Sequence, residues 1–138
     1  YFFYNFKRNT MRKTSRKSLI KKLDTIFSQY VRLRNSKKGI AKCVTCGKED
    51  NYKKLQAGHF ISRKNYATRW DPENVQVQCV ACNVYKYGEQ YKFGIWLDKN
   101  IGDGTADKLY LKSLQIRKFS DDEIKEKIDY YKQLVDLL

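Results

Sequence analysis

An α+β fold, with a small cysteine-rich centre flanked by N- and C-terminal helices, is the class this 138-residue sequence predicts. Three observations predict it. Apolar residues recur at helical spacing near both ends, two Cys-x-x-Cys pairs lie between them, and 41% hydrophobic with 14% aromatic content is enough for one packed core. No apolar run approaches the roughly 18 residues of a membrane span, and no secretory signal is visible. The chain opens at Tyr1 rather than Met, as a fragment or a processed product would.

The elements follow in order. Residues 1–17 mix aromatic and basic side chains without a period and read as a basic arm ahead of a single domain over 18–138. From about Thr14 to Asn35, Leu19, Ile20, Leu23, Ile26, Phe27, Tyr30, Val31 and Leu33 recur at three and four, the pattern of an amphipathic helix. Asn35 to Gly39 has the composition of a turn. Residues 40–100 form the core section with all four cysteines and the single histidine. Asn100 to Gly104 is a glycine-marked loop. A last helix over about 121–138 starts at Ser120, with Glu123 placed to complete a capping box. Its stripe of Ile124, Ile128, Tyr131, Val135 and Leu138 is read as core packing ahead of a dimer seam.

Charge is concentrated at one end. Residues 1–42 hold 13 basic and 1 acidic side chains, residues 43–100 hold 9 and 6, and residues 101–138 hold 7 and 8, within a total of +14. A basic third on a near-neutral remainder is the footprint of a protein that binds a polyanion, and phosphate neutralisation with counterion release is the force it exploits. Nucleic acid is favoured over an anionic membrane, because the apolar face that a membrane helix needs is committed to folding. Lys13, Arg16 and Lys17 are the arm's candidate contacts.

Cys43-Val-Thr-Cys46 and Cys79-Val-Ala-Cys82 have the spacing of two zinc knuckles, and Gly47 suits the tight turn after the first. A redox motif needs only one such pair, and two disulfides imply a secreted chain, whereas a nucleic-acid-binding charge pattern suits the reducing cytoplasm. The reading is structural Zn²⁺ on four thiolates. A closed all-thiolate site has no place for substrate, so catalysis must come from other residues.

Between the pairs lie His59 and Asn74, and Asn83 follows Cys82 directly. A lone histidine is more often structural than catalytic, but His, Asn and Asn in this order around paired cysteines resemble the HNH nucleases, whose fold is a β-hairpin followed by a helix around one metal ion. Ala57-Gly-His59-Phe, then Asn74-Val-Gln-Val-Gln-Cys79-Val-Ala-Cys82-Asn83-Val-Tyr-Lys86-Tyr-Gly88, then Tyr91 and Ile95-Trp-Leu97, are similar to the phage NinG/Rap recombination endonucleases. The order of motifs is also similar to that of phage endonuclease VII. The likeness spans roughly 18–138 and is specific over 43–97.

The resemblance implies an HNH (ββα-metal) centre and a nuclease acting on branched DNA such as Holliday junctions, working with Mg²⁺ or Mn²⁺ in the cytoplasm of a bacterial host. His59 would be the general base, Asn83 a metal ligand at the start of the helix after the knuckle, and Asn74 an orienting residue in the hairpin. Many HNH nucleases have Asp before the catalytic His, and this chain has Gly58. Another acid must then complete the metal shell, with Glu89 the first candidate and Asp50 and Asp71 behind it. Arg63, Lys64, Arg69 and Lys86 are candidate phosphate clamps. Tyr66, Trp70, Tyr85 and Tyr87 are read either as stacking groups or as packing. Symmetric incision of a junction needs two active sites, hence an expected homodimer. Two alternatives remain: a zinc-ribbon nucleic-acid binding module without catalysis, and a structural recombination accessory.

Overall fold

The computed structural model describes residues 14–138; Lys13 and most of the expected arm lie outside them. Helix α1 runs Arg16–Arg34, so Arg16 and Lys17 stand in its first turn. Ser15 caps it by accepting from the Ser18 N–H, and Arg32 and Arg34 sit at the end where the helix dipole favours cations. Leu19, Leu23, Phe27 and Val31, four residues apart, form its buried stripe.

That stripe packs on the last helix, α5 (Asp121–Asp136), through Ile124, Ile128 and Tyr131. The Phe27 and Tyr131 rings meet edge to face at 4.9 Å. The Ser120/Glu123 capping box is present, with three acidic residues in the first turn of α5. The α5 stripe is therefore core over Ile124, Ile128 and Tyr131, while Val135 is half-buried and Leu138 is exposed.

Two antiparallel hairpins fill the space beside α1. Strands β1 (Ile40–Lys42) and β2 (Glu49–Asn51) pair around the first Cys-x-x-Cys. Strands β3 (Gln56–His59) and β4 (Val75–Gln78) pair in a register that sets Gln56 opposite Gln78 and His59 opposite Val75. A 15-residue loop, 60–74, joins β3 to β4 and contains the one-turn helix α2 (Tyr66–Arg69).

The helix expected directly after the second cysteine pair is not continuous. Ala81–Tyr85 forms a wide π-helical turn, and regular helix resumes only at α3 (Gln90–Asn100). The break has a backbone cause: Tyr87, Gly88 and Glu89 all take positive φ, at 54°, 87° and 49°, which reverses the chain. Helix α4 (Thr105–Ser113), too short for the periodic reading to isolate, packs on α3. Phe93, Leu97 and Leu109 there make a second, smaller core roofed by Phe60, Ile61 and Trp96. No helix among the described residues is long and apolar enough to cross a membrane.

Candidate functional site

The four cysteines that sequence spacing paired do converge: all four sulfurs lie within 4.8 Å of one another. A tetrahedral ion with Zn–S bonds of about 2.3 Å sets its sulfurs about 3.8 Å apart. The Cys46 and Cys79 sulfurs are 3.7 Å apart, and the residues fit Zn²⁺. Cys43, Cys79 and Cys82 are buried and Cys46 is exposed. The first knuckle closes through Cys43 N–H to the Lys48 carbonyl and Gly47 N–H to the Cys43 carbonyl, both 2.9 Å, with Gly47 at φ 82°. Burial pushes the Cys82 thiol up to about 12, with the Cys79 and Cys46 sulfurs adding to the rise. Ionising Cys82 therefore calls for a cation beside it.

A second locus lies along β3. A cleft of about 760 Å³ is lined by Asp24, Ser28 and Arg32 of α1, by Gln56 and His59 of β3, by Arg63, and by Asn83, Tyr87 and Gln90 beyond the second knuckle. His59 and Asn83 thus share one cavity although 23 residues separate them between the two motifs.

The histidine is held in a defined tautomer. His59 Nε2 lies 2.9 Å from the Arg69 carbonyl oxygen. A carbonyl only accepts, so Nε2 carries the proton and Nδ1 keeps its lone pair. Burial pulls the imidazole below its ordinary value of 6.5, opposed by the Arg69 carbonyl and Asp24, so the ring is neutral at pH 7.

Asn83 donates its Nδ2 to Gln56 Oε1 at 2.8 Å, which leaves its Oδ1 as a free acceptor. Asn74 is fully buried and braces the histidine loop from within. Its Oδ1 accepts from the Ile61 N–H at 2.8 Å, and its Nδ2 donates to the Ile61 and Thr68 carbonyls, each at 3.0 Å. All three of these hydrogen bonds stay within loop 60–74, and Asn74 does not line the cleft, so it acts as a brace.

The acids fall elsewhere than expected. Glu89 precedes α3 and pairs loosely with Lys86 at 4.0 Å, Asp50 sits on β2, and Asp71 pairs with Lys112. None of the three lines the cleft. The carboxylate that does is Asp24, which sequence reasoning missed. Its Oδ1 accepts from Arg69 Nε at 3.1 Å and Trp70 Nε1 at 2.9 Å, and its Oδ2 from Arg69 Nη2 at 2.6 Å. One signal was available: Asp24 is the single acidic residue in the first 42.

Gly58 has a packing reason. A Cβ there would lie 2.6 Å from the Gln78 side-chain Cδ and 2.9 Å from its Cγ. Gln78 is fully buried and held by its Nε2 to the Gly88 carbonyl at 2.8 Å and to Thr45 Oγ1 at 3.2 Å. An aspartate at position 58 would have to displace the Gln78 side chain.

Among the expected phosphate clamps, Arg63 is exposed and lines the cleft, while Lys64 and Lys86 are exposed beside it. Arg69 is committed to the fold, through Asp24, the Arg63 carbonyl at 3.0 Å, and the faces of Tyr66 and Trp70. Arg32, not singled out from sequence, also lines the cleft and donates to the Tyr52 carbonyl at 3.1 Å. Tyr66 and Trp70 pack inside, whereas Tyr85 and Tyr87 face solvent.

Fold and sites together define a basic α+β protein with a four-cysteine centre that fits zinc and a separate cleft uniting His59 with Asn83. The chain belongs to the family described as Bacteriophage Lambda NinG protein, whose model matches residues 4–138. No curated protein and no solved structure matches it.

Proposed function

We propose that the chain is an HNH-type, metal-dependent endonuclease that hydrolyses phosphodiester bonds in branched DNA such as Holliday junctions. One observation carries this reading: a neutral histidine with a bare Nδ1, a free asparagine oxygen and a solvent-facing Arg63 line the same cleft. His59 Nδ1 takes the proton of a water attacking phosphorus; the new P–O bond forms as the bond to the 3′ oxygen breaks. Arg63 holds non-bridging oxygens of the phosphate. Gln56 holds the Asn83 amide by its Nδ2 and leaves Oδ1 to accept, and Asn74 keeps the loop from drifting off the histidine. Mg²⁺ or Mn²⁺, with Asn83 Oδ1 as its protein ligand, would supply charge neutralisation at the scissile phosphate.

The reaction belongs in the cytoplasm of a bacterial host, where the thiolates of the zinc site stay reduced. Cutting two opposed strands of a junction calls for a homodimer. Sedimentation of the junction-bound protein tests this, and a 16.5 kDa monomer cutting both strands at once would exclude it.

A zinc-ribbon binding module without catalysis is the second reading. It is favoured by Asp24 being the one carboxylate that lines the cleft among the described residues, with oxygens that already accept from Arg69 and Trp70. Labelled four-way junctions incubated with pure protein, with and without Mg²⁺, separate the two. Metal-dependent cleavage lost in His59→Ala supports the nuclease; tight binding with no cleavage under any divalent ion supports the module.

A further inference from the structure

Tyr87 is placed at a cost that the fold does not recover. Its φ of 54° is in the left-handed region, which a bulky L-residue seldom enters and which asparagine or glycine tolerates better. Its side chain is 89% exposed, so the ring is not burying apolar surface in exchange. The turn itself is firmly held. Gly88 donates to the Cys82 carbonyl at 2.8 Å and accepts from Gln78 Nε2 at 2.8 Å, and Phe93 N–H closes on the Glu89 carbonyl at 2.8 Å. The backbone that presents Tyr87 is therefore tied directly to the second knuckle. Strained geometry held rigid by its surroundings is characteristic of a residue kept for contact with a ligand.

What the ring meets follows from its neighbours. Tyr87 lines the cleft with His59, Asn83 and Arg63. Tyr85 and Tyr91, 76% and 82% exposed, flank it in sequence, and Lys86 and Lys92 stand exposed between and beside them. Aromatic faces interleaved with cations form the surface that holds single-stranded nucleic acid, where the cations track the backbone and the rings stack on bases. In intact duplex the base faces are already stacked on one another and closed to the ring; at a branch point they open.

We propose that Tyr87 stacks on an unpaired base at the branch point of DNA whose adjacent phosphate lies in the cleft, with Tyr85 and Tyr91 extending the platform. The inference rests on DNA being the ligand of the cleft, and it selects branched over linear DNA. The test measures binding without divalent ions, so that nothing is cut, on a four-way junction with unpaired nucleotides at the crossover and on a matched linear duplex. Tyr87→Asn should lower affinity for the junction roughly 5- to 100-fold and change duplex affinity by less than about twofold. Tyr87→Phe should keep both. The thermal midpoint of Tyr87→Asn should equal or exceed the parent's, since asparagine accepts the left-handed backbone.

A readout on the unaltered protein stands beside these. 2-Aminopurine at the crossover should change its fluorescence on binding as it leaves the DNA stack for the tyrosine face. Equal losses on junction and duplex, an unchanged junction affinity, or a silent 2-aminopurine signal on saturated protein would overturn the proposal. Cleavage is scored separately. Junction binding that depends on Tyr87 in a protein that cuts nothing would sink the nuclease and leave the stacking standing. Cleavage with a silent probe would do the reverse.

Discussion

At the scale of the residue, His59 combines a half-buried ring with a hydrogen bond to the Arg69 carbonyl, and the two properties set different things. Burial favours the neutral form and the Arg69 carbonyl selects the tautomer, so the base is ready at neutral pH. His59→Ala should slow cleavage by about 10²–10⁴ while junction affinity stays within a few fold, as gel-shift and single-turnover assays on the same preparation would show. The pH profile follows with its sign. The folded pKa is depressed, so the acid limb of activity should fall below pH 6.5, the ordinary histidine value. Stability takes the same sign: above 6.5 the ring is neutral folded or unfolded and adds nothing. As pH drops below 6.5 the unfolded chain takes up the proton first, and stability is lost until the folded ring protonates too. An acid limb well above 6.5 would rule His59 out as the base. Asp24, which holds Arg69 and whose charge also acts on the histidine, shapes this site without standing near it in the sequence.

Among the elements, the two long helices were legible because they are long: four apolar residues at spacing four in α1 and a capping box on α5 are local signals. The cysteine cluster was legible because zinc knuckles require short spacing. Helices α2 and α4, of 4 and 9 residues, give too few turns for a period to stand out. The interruption after the second knuckle depends on three left-handed residues, of which only Gly88 announces such a backbone. Asp24 escaped because its role comes from α1 lying against the β3 hairpin, a tertiary relation with no local trace. The hairpin also explains a residue that sequence reading could only note as a departure. Gly58 is small because the buried Gln78 amide crosses its Cα, tied at its far end to the Gly88 carbonyl and Thr45. Gly58→Ala should therefore cost about 1–3 kcal/mol by overpacking, measured by urea unfolding. Gly58→Ala with Gln78→Ala should recover part of that loss by non-additivity. Simple addition of the two costs would mean that the Gln78 side chain does not limit position 58.

On the scale of the whole molecule, stability and binding reside in separate regions, so they should fail separately. The cysteine centre ties the β1–β2 hairpin to the turn after β4, two segments otherwise joined through few strand hydrogen bonds. Strong chelation of zinc, or Cys79→Ser, should then unfold the middle of the chain, whereas withdrawal of Mg²⁺ should leave circular dichroism and the thermal midpoint unchanged. Unaltered unfolding after verified zinc loss would contradict the structural role. Binding strength has another source. The first 42 residues carry 13 of the 29 basic side chains against one carboxylate, and that carboxylate, Asp24, is neutralised internally by Arg69. Lys17 is exposed at the start of α1, and Arg16 beside it meets only the exposed Asp121, a pairing at 2.9 Å that solvent screens and DNA phosphate can replace. Lys13, Arg16 and Lys17 changed together to Ala should weaken binding to branched and linear DNA alike, without altering the preference between them. The slope of log K against log salt should flatten by about 0.9 for each duplex phosphate that the variant no longer neutralises. Such a variant should still cut whatever it binds at saturating protein, because the substitutions leave His59, Asn83 and the cysteine centre untouched. A salt slope identical to the parent's would show that these three side chains neutralise no DNA phosphate.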